Sequence, residues 1–131
     1  MLERWFKKSS APLTGAPTVR RQKTYSAQSG YVYQYHYEGH RRAAGRGTEY
    51  VFDVSSDRKT SAPVSVFVSE EALASWQRER GRTLSSIEQY AIAKMALFQA
   101  FDEREYPAAM RDAVRVEAAA VRAILNTLKI D

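Results

Sequence analysis

The sequence predicts an α+β domain, a three-stranded antiparallel sheet followed by two or three helices packed on one of its faces. Two observations carry that prediction. Between residues 30 and 68 aromatic and β-branched side chains recur at every second position, the period of a pleated strand. After residue 69 the spacing lengthens to three and four, the period of helices, and strands followed by helices make segregated layers.

Residues 1–24 read as an extended basic arm and residues 25–131 as a single domain. Pro12, Gly15 and Pro17 interrupt any periodicity in the arm, whose bulky apolar pair, Trp5 and Phe6, is expected to dock on the domain or on a second copy. In the first strand Tyr31, Tyr33, Tyr35 and Tyr37 alternate with Val32, Gln34, His36 and Glu38. Three glycines and three arginines in residues 39–47 suggest a loose, exposed hairpin loop. The second strand, residues 48–55, puts Tyr50, Phe52 and Val54 on one face and Glu49, Val51 and Asp53 on the other. A polar connection over residues 56–63 leads to the third, with Val64, Val66 and Val68 on one side. Together the rings and valines make one apolar face, which helices must cover.

The first helix is capped by Ser69, opens on Glu70 and Glu71, buries Leu73 and Trp76, and stops at Gly81. Ser85 and Glu88 have capping-box spacing and open the second. Its buried stripe is expected to be Ile87, Tyr90, Ala91, Met95, Phe98 and Phe101 with the stem of Lys94. Pro107 fits the first turn of a last helix, with Met110, Ala113, Val114, Val121, Ile124, Leu125 and Leu128 inward. Helices cover only one face and a three-stranded sheet has two edges, so a homodimer is expected.

At 131 residues with no cysteine, disulfide scaffolds, cysteine nucleophiles and thiolate metal sites are excluded. The longest apolar runs are a few residues, so no membrane segment and a cytoplasmic location are expected. No G-x-S-x-G elbow, phosphate loop or dinucleotide fingerprint occurs, so no catalytic residue, no cofactor and no enzymatic activity are assigned. Charge is uneven: residues 1–48 hold nine Lys and Arg against two acids, the remainder eleven against thirteen. Such a split suggests an anionic partner on the N-terminal side, either nucleic acid or an acidic protein.

Three constellations stand out. Arg41, Arg42 and Arg46 crowd the hairpin loop, with Arg20, Arg21 and Lys23 just ahead of the strand; guanidinium forks there could straddle a phosphate backbone. Tyr33, Tyr35 and Tyr50 either pack as core or line a ligand pocket between sheet and helices. His36, Glu38 and His40 share one strand face, but same-face neighbours lie about 7 Å apart, so the strand alone closes no metal site and none is assigned. Glu49 or Asp53 of the next strand could complete one, given the right register.

The strand at Val64–Val68 followed by Ser69, Glu70, Glu71, Gly81, Arg82, Ser85 and Glu88 resembles the strand, acidic helix start, turn and second helix of ribbon-helix-helix DNA-binding proteins. It departs from that family by a first helix about one turn shorter and by an aromatic hairpin ahead of the ribbon. The outward positions Ser65 and Phe67 also lack base-reading side chains, so no function is carried over. The leading expectation is a non-enzymatic module whose basic hairpin and arm contact an anionic partner. The alternatives are a small-ligand-binding protein or enzyme with a tyrosine-lined pocket, and an assembly subunit.

Overall fold

The computed structural model describes residues 11–43, 45 and 47–131. Trp5, Phe6 and Arg46 lie outside the described residues. The chain is α+β, with strands β1 (Lys23–Ser26), β2 (Val32–Ala43), β3 (Gly47–Ser55) and β4 (Ala62–Ser69), then helices α1 (Glu70–Arg80) and α2 (Ser86–Glu103). A 3-10 turn over Pro107–Arg111, strand β5 (Val114–Val116) and helix α3 (Ala118–Thr127) complete it.

The sheet is wider than expected, five strands in the order β1-β2-β3-β4-β5, antiparallel except for the parallel β4–β5 pair. Both added strands are short. Tyr25 is the one large apolar residue of β1, whose Lys23 and Thr24, the last residues of the expected arm, pair with Tyr35 and Gln34. At the other edge Val114, Arg115 and Val116 pair with Val66, Phe67 and Val68 after the crossover through α1 and α2. Three alternating residues are too few to announce a strand, and Val114 also fitted the expected stripe of a helix. The single last helix expected from Pro107 is therefore replaced by a 3-10 turn, a strand and a shorter helix. Arg104 organises that departure by donating to the carbonyls of Ala109, Asp112 and Ala113 at 2.9, 2.7 and 3.2 Å.

The apolar wall forms as the alternation requires. Tyr33, Tyr35, Tyr50, Phe52, Val54, Val64, Val66 and Val68 are all buried and share one core with Trp76, Ile92, Leu97, Phe101, Val121, Ile124 and Leu125 of the helices. Burying each such side chain stabilises the fold by roughly 1.5 to 3 kcal/mol. Tyr31, ahead of the strand, is instead exposed. The caps stand as the sequence implies: Ser69 accepts from the Ala72 amide, Gly81 adopts a left-handed conformation with φ 67°, and Ser85 and Glu88 form a reciprocal capping box. In α2, however, the buried face turns toward Ile92, Ala93, Ala96, Leu97 and Ala100, leaving Ile87 78% exposed.

A β-bulge positions the rest. The β2–β3 register runs His36↔Asp53 and Tyr37↔Phe52, then shifts to Gly39↔Val51 and His40↔Tyr50. One extra residue reverses the facing of everything after it. His40 therefore leaves the polar face of His36 and Glu38 and joins Tyr50 on the helix side, which corrects the expectation that all three point the same way. Gly39 has φ +125°, and a Cβ there would stand 2.7 Å from the Thr14 carbonyl. Residues 11–22 are accordingly laid against the edge of β2 at this point, where Thr14 and His40 exchange two backbone hydrogen bonds of 2.8 Å.

Candidate functional site

Because the bulge turns His40 inward, the end of the sheet near α2 carries an aromatic cleft of about 470 Å3. Its walls are Tyr37, His40 and Tyr50 from the sheet, Tyr90 and Ile87 from α2, and Gly15 and Pro17 from the segment docked at the edge. Tyr37 lies 4.7 Å from Tyr90, and Tyr50 is 5.6 Å from the His40 ring and 6.3 Å from Tyr90, centroid to centroid. These are ordinary aromatic packing distances, so the walls hold each other in place. The Tyr37 hydroxyl and His40 Nδ1 are hydrogen-bonded at 3.0 Å. Gly15 lies against the same ring edge, where a Cβ would come within 2.9 Å of Nδ1. His40 Nε2 has no hydrogen-bond partner among the described residues, and neither do the hydroxyls of Tyr50 and Tyr90. Burial raises the pKa of Tyr37, Tyr50 and Tyr90 above the ordinary phenol value, so all three stay neutral hydrogen-bonding groups across the physiological range.

Comparison of the chain with protein-family models, with curated proteins and with solved structures gives no match. The site must be read from its own chemistry.

The three tyrosines singled out from the sequence do not meet in one pocket. Tyr50 lines the aromatic cleft. Tyr33 lines a second cleft of about 490 Å3 at the far end of the same core, between the β3–β4 hairpin and the 3-10 turn. There its ring stacks on Phe101 at 4.2 Å and its hydroxyl is buried with no partner. Tyr35 sits between them, packed against Phe52, Phe98 and Phe101, with the Lys94 ammonium 6.0 Å above its ring. Sequence reasoning missed Tyr37, Tyr90 and His40 as a group. The signal was present in the glycine at position 39, since a glycine inside a strand pattern marks a bulge.

Three of the six basic residues, Arg20, Arg41 and Arg42, pair with carboxylates of the same chain. Arg20 donates to Glu38 at 2.5 Å and also contacts His36, Arg42 pairs with Glu70 at 2.5 Å, and the Arg41 guanidinium meets the buried Glu49 at 3.0 Å. Glu49 further accepts from Ser65 at 2.6 Å. Arg21 and Lys23 are exposed. Strand β4, the counterpart of the ribbon in ribbon-helix-helix proteins, is hydrogen-bonded within the chain to β3 on one side and, at Val66–Val68, to β5 on the other. Among the described residues no helix is long and apolar enough to cross a membrane.

Proposed function

We propose that this chain is a small-molecule-binding protein whose ligand lies in the aromatic cleft between the bulged end of the sheet and the start of α2. One observation carries the reading: three tyrosines and a histidine wall a 470 Å3 opening, with Ile87 left 78% exposed at its rim. An isoleucine so placed covers nothing in the fold, whereas it would extend an apolar wall over a guest. The volume falls in the range of small-molecule sites, which are mostly apolar with a few polar groups that set orientation. The cleft therefore fits a flat aromatic or heteroaromatic molecule carrying one polar group for His40 Nε2 and lying against the wall that the Tyr50 and Tyr90 rings form together.

Thermal shift with a panel of aromatic and heteroaromatic fragments tests this. A fragment with Kd of about 1 mM, present at about 5 mM, stabilises the protein by about 1 kcal/mol, or roughly 3 to 5 °C at this size. Ile87→Asp and Tyr90→Ala should abolish the shift. Fragments that stabilise these variants as well as the wild type would remove the proposal.

An anionic partner is a second reading, favoured by the exposure of Arg21, just ahead of β1, and of Lys23, its first residue. It has less behind it, because Arg20, Arg41 and Arg42 already face carboxylates.

A further inference from the structure

The polar face of the sheet carries a second constellation, independent of the cleft. His36 sits directly opposite Asp53 in the β2–β3 register, and Glu38, two residues on, lies on the same face. The strand spacing of about 7 Å would keep two short side chains apart. Here the long Glu38 side chain reaches back, bringing its Oε2 to 3.2 Å from His36 Nε2, while Asp53 Oδ2 lies 3.6 Å from the same nitrogen. One nitrogen and two carboxylate oxygens fall within 4.8 Å of one another.

These separations have a specific meaning. An ion bound at 2.0 to 2.2 Å by ligands in tetrahedral arrangement sets neighbouring donor atoms about 3.4 Å apart. The two measured edges bracket that value. Two carboxylates and a neutral imidazole also balance a divalent charge, and the mixed N and O donors suit a borderline first-row ion better than Ca2+ or Mg2+.

A second observation points to a ligand at the same place. Gln34, 3% exposed, lines the recess of about 160 Å3 that His36 and Asp53 also line, and its Oε1 is buried without a partner. An unpaired buried amide oxygen costs about 1 to 3 kcal/mol. Gln34 is one same-face step from His36, too far to coordinate the same ion but placed to accept from a water bound to it. In the fold as described a cation already occupies the cluster: the Arg20 guanidinium donates to Glu38 and contacts His36. Its side chain is 56% exposed. An exposed pair of that kind contributes about 0 to 1 kcal/mol, so the guanidinium can swing out at little cost.

We infer that His36, Glu38 and Asp53 form a binding site for a divalent ion of the zinc class, with Arg20 as the cation that fills it when the metal is absent. The fourth coordination position opens into the recess, where Gln34 Oε1 takes a hydrogen bond from the bound water. Arg58 and Lys59 at the rim of the recess favour an anion or hydroxide in that position.

Titration of the full, untagged chain with Co2+ and Zn2+, followed by the visible absorption of bound Co2+ and by calorimetry, decides the matter. The expected result is one site of micromolar affinity with the intense absorption of tetrahedral Co2+. His36→Gln and Asp53→Asn should each weaken it at least tenfold, and Arg20→Ala should tighten it or leave it unchanged. Circular dichroism of each variant separates a lost ligand from a lost fold. Affinity no better than millimolar in both wild type and Arg20→Ala, or binding that survives His36→Gln undiminished, overturns the inference. Neither result bears on the aromatic cleft, which uses different residues.

Discussion

Replacing Gly39 by alanine tests how the bulge builds the cleft. Gly39 has φ +125°, and its Cβ position would stand 2.7 Å from the Thr14 carbonyl oxygen and 3.1 Å from Leu13 Cβ. Backbone held in that region by an L residue costs on the order of 1 to 3 kcal/mol. The Thr14 carbonyl must also retreat, and with it go the two 2.8 Å hydrogen bonds between Thr14 and His40, each contributing about 0.5 to 1.5 kcal/mol. A loss of about 2 to 6 kcal/mol, centred near 4, follows. Gly30→Ala supplies the control, since Gly30 also has positive φ, +100°, but nothing lies within 4 Å of its Cβ position. That variant should lose only the conformational share, about 1 to 2 kcal/mol. In urea unfolding, with a slope of about 1.5 to 2 kcal/mol/M, the midpoints should fall by roughly 2 M and 1 M. Fragment binding should vanish in Gly39→Ala and persist in Gly30→Ala. Equal losses in the two variants, or a Gly39→Ala protein that keeps both its stability and its fragment binding, would refute the reasoning.

Three further outcomes are expected. Arg41→Ala should destabilise the fold by about 1 to 3 kcal/mol in denaturant titration, because it takes the guanidinium from a Glu49 carboxylate that is only 6% exposed; a neutral effect would show that this pair does not hold the outer face. Stability should be fully present below pH 10 and decline as pH rises above it, because burial raises the folded-state pKa of Tyr37, Tyr50 and Tyr90 above the value near 10 that an unfolded chain shows; a flat profile between pH 9 and 11, read by chemical denaturation with phenolate absorbance, would contradict their burial. If an anionic partner is bound at all, Arg21→Ala with Lys23→Ala should reduce retention on heparin at low salt more than Arg42→Ala, whose guanidinium already pairs with Glu70; unchanged retention removes that reading.

What the sequence made legible follows from how local each signal is. Tyr33, Tyr35, Phe52, Val64 and Val66 announced a buried sheet face because period two is written into neighbouring residues. The caps at Ser69, Gly81 and Ser85 were legible for the same reason, each needing only a few adjacent positions. The strands at Lys23–Ser26 and Val114–Val116 were not, because a short edge strand is stabilised by its neighbour's open hydrogen bonds more than by its own pattern. Ile87 matched a helical stripe yet stays exposed, because the rotation of α2 about its axis is set by the bulk of Leu97 and Phe101 in the core. The approach of His36 to Asp53 depended on register, and that of His40 to Tyr50 on a bulge, neither of which alternation alone determines.

The most direct measurement is a map of amide chemical-shift changes on the 15N-labelled protein as the best-stabilising aromatic fragment is added. The largest changes should fall on His40, Thr48, Tyr50 and residues 86–90, with the amides around Tyr33 and Arg111 unmoved. Changes centred on that second cleft, or scattered over the surface without saturation, would contradict the assignment of the aromatic cleft as the binding site.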